Sequence, residues 1–176
     1  MMKRILFALT GALAASSAIG QLPQAWFPTP CVENYDTMPA GSYAGFPAMF
    51  VGGTPFATAN TISGAPLDVG SFGFLPPFNG LQCMFGNQTD VDWRFIIPMR
   101  RFGGYWRAAS TATTGMQIRY TLPSGTVWFT SPVLPINTTS WTWYGHFLFA
   151  LCNKAEVLGV PFGGFVGHDG TRARWW

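Results

Sequence analysis

The chain has 176 residues, of which 48% are hydrophobic, 16% aromatic and only 10% charged. That length suits one ordinary domain able to bury a sizeable core. Its formal charge of +3 includes Lys3 and Arg4; beyond residue 20, eight basic and seven acidic groups leave a net of +1, which removes support for a nucleic-acid partner.

In chain order, the opening MMKRILFALTGALAASSAIG has the basic start, short apolar run and small-residue end of a secretory signal peptide. The apolar run from Ile5 to Ala15 is too short for a permanent membrane span. Residues 1–20 are therefore expected to be a leader cut before Gln21, with 21–176 as one domain, secreted or in the cell envelope. No cysteine opens the expected mature chain, and no apolar tail follows VGHDGTRARWW, so no permanent membrane anchor is expected.

The rest has no sustained helical period. Short aromatic and β-branched runs are separated by Gly, Pro, Asn and Ser clusters, the pattern of an all-β protein. Expected strands are Cys31 to Asp36, Ala48 to Val51, Leu67 to Val69, Val91 to Met99, Gly104 to Ala108, Gly115 to Leu122, Thr126 to Thr130, Thr139 to Leu151 and Glu156 to Phe162. Between Pro39 and Pro77, Gly, Pro, Ala, Thr and Ser dominate, and long loops are expected. Pro98 lacks an N–H, which puts WRFIIPMRRF at an edge or on a bulge. MQIRYTLPSGTVWFT reads as a hairpin turning at Pro123, Ser124 and Gly125.

Charge is partitioned along the chain: residues 21–92 carry five acids and no base, and residues 93–155 carry six bases and no acid. This fits an acidic partner or head-to-tail self-association, or simply strands from the two halves lying side by side. Cys31, Cys83 and Cys152 allow one disulfide with three pairings open, and their wide spacing does not resemble a zinc site. Only His146 and His168 could serve as imidazole bases, and no serine lies in a G-x-S-x-G turn. Asp90 and Asp92 share a strand face. They could act as a catalytic or calcium-binding pair, or be the solvated start of a strand.

VENYDTMPAGSYAGF, FIIPMRRFGGYWRAA, SWTWYGHFLF and EVLGVPF, taken in order, resemble bacterial secreted jelly-roll-like β-sandwich domains of exosortase-sorted, PEP-CTERM-type extracellular proteins. The sorting tail of those proteins is not seen here, and GHDGTRARWW lacks their paired closing aspartates. The resemblance implies an antiparallel, jelly-roll-like β-sandwich. It also implies a calcium ion near the first and last strands, around Glu33, Asp36 and Asp169.

In WTWYGHFLFAL, alternation puts Trp141, Trp143, Phe147, Phe149 and Leu151 on one face and Tyr144, His146 and Leu148 on the other. The first set is expected to be core, with Gly145 making room for a ring or a bend. Tyr144 and His146 are then left for a ligand, joined by Tyr105, Trp106, Trp175 and Trp176 as candidate sugar-stacking rings. The expected function is a non-catalytic envelope or extracellular structural or interaction protein. The alternatives are a glycan-binding module and a small outer-membrane β-barrel. Expected partners are an extracellular polysaccharide or a second copy of the chain.

Overall fold

The computed structural model describes residues 21–51, 54–161 and 165–175; the expected leader, the expected strand end at Phe162 and the candidate ring Trp176 lie outside them. Thirteen strands and no helix occupy the described residues: β1 (Gln21–Pro23), β2 (Cys31–Glu33), β3 (Gly41–Tyr43), β4 (Gly45–Val51), β5 (Thr54–Thr61), β6 (Leu67–Gly70), β7 (Cys83–Gly86), β8 (Val91–Ala108), β9 (Gly115–Thr121), β10 (Val127–Thr130), β11 (Leu134–Pro135), β12 (Thr142–Val160) and β13 (Val166–Arg174). Every pairing described among them is antiparallel.

The two long strands organise the molecule. In β8, Val91, Trp93, Phe95 and Met99 are buried, and then Phe102, Trp106 and Ala108. The inward parity therefore flips between Met99 and Phe102. A flip needs an extra residue in the ladder, and the β8–β12 register is interrupted there, between Phe147 and Cys152. The Pro98 expectation resolves as a bulge at the second interruption of that ladder, between the pairs Met99–Cys152 and Arg94–Lys154, in a strand paired on both sides. β12 flips likewise: His146, Leu148 and Cys152 point inward, then Ala155 and Val157.

Each long strand passes from one layer to the other at its bend, the way corners form in packed sheets. One layer holds β4, β5, the first part of β8, the last part of β12, and β9 with β10 and β11 along its edge. The other runs from β1 through the first part of β12, the last part of β8 and β13. There β2 and β7 follow, then β6 and β3. The architecture is the expected antiparallel β-sandwich. Its interior is a packed core and its sheet has open edges, so the barrel alternative is corrected.

Rings from the two layers meet in the core. Trp93 lies 6.3 Å from His168, Phe102 6.3 Å from Tyr120, and Trp106 meets His168 edge-on at 4.9 Å. Trp93, Trp106, Tyr35, Tyr120 and Phe102 are fully buried; rings of this size each remove about 150–250 Å² from water and dominate core energetics. A satellite cluster of Leu75, Cys83 and Phe85 sits beneath Phe72, Trp141 and Phe165.

Several strand expectations change. Val91 to Met99 and Gly104 to Ala108 are one strand, and Thr139 to Leu151 and Glu156 to Phe162 likewise merge into one, which begins at Thr142 and ends at Val160. Cys31 to Asp36 stops at Glu33, whose carboxylate accepts from Tyr35 N at 2.8 Å while Tyr35 turns at φ 64°. The expected loop region contains β3 and β5, and β4 extends the expected Ala48 to Val51 strand back to Gly45. The hairpin is as expected: Gly125, at φ 87°, donates to Leu122 O, and β9 pairs with β10.

All three cysteines are buried free thiols, which corrects the disulfide expectation. They sit on β2, β7 and β12, with Ala173, Gly70 and Met99 opposite them. Burial pushes the Cys83 thiol up to about 12 and Cys152 up to about 11, as expected of inert core residues.

Candidate functional site

The faces of β12 are the reverse of the sequence expectation. His146, Leu148 and Cys152 are buried, whereas Phe149 and Leu151 are exposed and Trp141, Trp143 and Phe147 are half-buried on the outside. Polarity misled because His146 has an internal partner: its Nδ1 lies 2.8 Å from Tyr120 Oη across the core. Burial lowers the His146 pKa to about 4, so the ring is neutral at pH 7.

The outward rings of β12 lie on a lattice set by strand register. Across β12, β8 and β13, Trp143 stands opposite Tyr105 and then Asp169. Gly145 is followed by Gly103 and Arg172, and Phe147 by Arg101 and Arg174. The middle row has no side chain on two of its three strands. A Cβ at Gly103 would meet the Gly145 Cα at 2.7 Å and the Trp143 ring at 3.0 Å; one at Gly145 would meet the same ring at 3.0 Å. The glycine pair therefore forms a shallow channel that admits the Trp143 indole, fulfilling the expectation for Gly145.

Residues 24–30 cross that channel as a strap, from β1 on the far side of β12 to β2 on the far side of β13. Gln24 N donates to Gly145 O, and Trp143 Nε1 donates to Gln24 O at 2.9 Å. Phe27 is buried edge-on against Trp143 at 5.9 Å, Trp26 covers the Arg172 guanidinium at 4.6 Å, and Thr29 Oγ1 donates to Ala173 O.

On one side of the strap, Phe78 stacks on Tyr105 at 3.7 Å and Tyr105 meets Trp143 at 5.3 Å. Asp169 holds Phe78 there by accepting from the Phe78 and Asn79 amides at 2.7 and 3.0 Å. On the other side, Arg101 lies 5.5 Å from the Phe147 ring, which meets Phe149 edge-on. Phe78, Trp26 and Phe149 are 46%, 49% and 45% exposed, so the face offers open ring surface on both sides.

Of the ring candidates among the described residues, only Tyr105 lies on this face. Trp106 is fully buried, and its Nε1 donates to Tyr144 O at 3.0 Å. Tyr144 is half-buried on the inward side, with its hydroxyl on Pro135 O, and His146 is core. Trp175 packs against Phe56 at 5.1 Å, elsewhere in the molecule. The set Tyr105, Trp106, Tyr144 and His146 is therefore corrected as a single surface. Phe78, Trp26, Phe147, Phe149, Arg101 and Arg172 replace its buried members.

The three residues of the calcium expectation are engaged by backbone amides. Glu33 accepts from the Tyr35 and Met49 amides, Asp36 from Leu81 and Gln82, and Asp169 from Phe78, Asn79 and Gly170. N–H donors thus occupy oxygens that a hard cation would use, and the three carboxylates also feel one another, since burial first and then the Asp36 charge raise Glu33 and Asp169. Among the described residues no His, Cys, Asp and Glu group has metal-binding geometry. Burial nevertheless raises Asp169 to about 6, against those amide bonds. Asp90 and Asp92 are buried: Asp90 accepts from Gly159 N, and Asp92 from Arg94 Nε at 2.7 Å. Neither is the solvated strand start expected of them.

No protein-family model matches the chain, and no curated protein matches it. Solved structures similar to it include two β-rich domains. One is the CBM22-1 xylan-binding domain from Paenibacillus barcinonensis Xyn10C, at 8% identity and TM-score 0.45, covering 66% of this chain and 84% of that one. The other is the K2 cleaved adhesin domain of Lys-gingipain, at 11% identity and TM-score 0.47, covering 81% and 97%.

Proposed function

We propose that the protein is a secreted, non-catalytic binding module that holds a polysaccharide against the outer face of β12, β8 and β13. The observation that carries this reading is the run of outward rings on both sides of the strap, three of them close to half exposed. Large apolar rings left open beside polar donors are the surface on which the C–H faces of sugars stack, and the arginines supply hydrogen-bond donors at the ring edges. The buried, neutral imidazoles and the amide-bound carboxylates supply no acid–base pair on this face, which supports a binding role over a hydrolytic one.

The test is affinity electrophoresis of the mature protein through gels containing a panel of neutral and acidic polysaccharides. At least one polymer is expected to retard it, with Phe78→Ala and Phe149→Ala each weakening retention about tenfold, a loss of about 1.4 kcal/mol. Free migration through every polymer, with the protein folded, contradicts the proposal.

A further inference from the structure

The outer faces of the two layers treat charge differently. On the β5–β8–β12–β9 face, Arg94 meets Asp92 at 2.7 Å, and Arg119 and Lys154 meet Glu156 at 2.7 and 3.1 Å. On the strap face, Arg101 and Arg172 stand on neighbouring strands in successive rows, diagonal neighbours of like charge within reach of each other's long side chains. Asp169, a described carboxylate of that lattice, is engaged by three backbone amides. Arg174, opposite Arg101, is engaged within the molecule, its Nη1 reaching Pro28 O at 3.4 Å, and Arg172 is covered by Trp26. The Nε–H groups of Arg101 and Arg172 are shielded from solvent and meet no acceptor among the described residues. Any anion these two guanidiniums bind must therefore approach their terminal nitrogens from solution.

We propose that Arg101 and Arg172 form an anionic subsite within the polysaccharide surface, taking the carboxylate or sulfate ester of an acidic sugar whose ring lies on Phe147, Phe149 or Trp26. This rests on the polysaccharide reading and specifies its substrate class. Two considerations commit it to an acidic polymer. A cluster of like charges at half-buried positions is relieved by an anion, and forked guanidiniums match planar or tetrahedral oxyanions better than they match hydroxyls. The flanking rings, Phe147 at 5.5 Å from Arg101 and Trp26 at 4.6 Å from Arg172, place stacking surface within one sugar unit of the charge.

The experiment measures retention of the mature protein on polygalacturonate, chondroitin sulfate, hydroxyethylcellulose and polyglutamate, at about 50 and 200 mM salt. Retention is expected on polygalacturonate or chondroitin sulfate above the other two. The preferred polymer identifies carboxylate or sulfate as the ligand group. Arg101→Gln and Arg172→Gln are each expected to weaken it at least about fivefold, and salt to weaken it further. If either Gln variant fails to fold, the Lys variant at the same position keeps the charge but loses the fork, with a loss of about threefold expected.

Equal retention on hydroxyethylcellulose, unaffected by the arginine variants, overturns the anionic subsite while leaving the polysaccharide reading standing. Equal retention on polyglutamate overturns it as well, by showing that charge alone suffices. Retention on none of the four overturns the subsite, and the wider neutral panel then decides the polysaccharide reading separately.

Discussion

The outer face of the β5–β8–β12–β9 layer and the strap face are built on the same two long strands, yet they solve opposite problems. On the first, each cation at the centre finds a carboxylate two residues along its strand or directly across: Arg94 with Asp92, Arg119 and Lys154 with Glu156. The second brings together Arg101, Arg172, Trp143, Phe147 and Tyr105, and needs a strap and a glycine channel to cover part of its apolar surface. The lesson is that a face able to neutralise itself is a structural surface. One that leaves like charges and rings side by side carries groups whose best partners are external.

The comparison can be tested from the interior outward. Trp106→Ala removes the largest ring beneath the strap layer and should cost about 3–5 kcal/mol of stability, read from urea melts; a cost below about 1 kcal/mol would show that the strap layer is not packed as described. Gly103→Ala drives a methyl into the Gly145 backbone and the Trp143 indole. It should cost about 1–3 kcal/mol and raise amide exchange at Gln24 by loosening the strap. Unchanged exchange at Gln24 would mean that the channel does not seat the strap.

The charge contrast gives a smaller effect. Glu156→Gln should cost about 1 kcal/mol, discounted for the partial exposure of Arg119 and Lys154, whereas Arg172→Gln on the other face should be neutral or slightly stabilising. Burial alone would raise the Glu156 pKa, but the bonds from Arg119 and Lys154 outweigh it and hold the group below its ordinary value. Its contribution is therefore present above about pH 4.3 and is lost as pH falls below that. The Glu156→Gln difference should shrink as pH falls below that.

The smallest effect expected is a change in pH slope. Burial lowers His146 to about 4 and His168 to about 3, so both bind fewer protons folded than unfolded. Their contribution is complete above about pH 6.5 and declines as pH falls toward 4. Asp169, raised to about 6, opposes this over part of the same window, since folding favours its neutral form. The two histidines prevail, and stability should fall from pH 7 to 5. His168→Leu, which removes a ring whose two nitrogens have no hydrogen-bond partner, should flatten that slope at little cost at pH 7. An unchanged slope would show that His168 is not the buried neutral group described.

Fold class was legible because it depends on local signals. Alternation and turn chemistry identified the β9–β10 hairpin, and the Pro98 signal found the bulge in β8. β13 was not legible: VGHDGTRAR contains Gly167, Asp169 and Gly170, which read as a turn, although the strand is central and buries His168, Asp169 and Thr171. Alternation also divided β12 correctly into two sets but could not say which faced inward. That depended on Tyr120, 26 residues away, bonding His146, and on a strap over 100 residues away covering Trp143. The usable signal was the paired glycines of FGGYW and WYGHF, whose match becomes meaningful only once Gly103 and Gly145 are known to be register partners. The charge partition is resolved in part by local contacts. Most acids of the first half accept from backbone amides, and Asp92 meets an arginine two residues away.

The assignment of binding to one face is tested most directly by comparing titrations of acidic oligogalacturonide into the wild type, Arg172→Gln and Phe149→Ala on the strap face, and Arg94→Gln on the opposite face. The predicted result is an affinity lowered at least about fivefold by the first two substitutions and left unchanged by the third. Equal losses from all three, or a loss from Arg94→Gln alone, would contradict it.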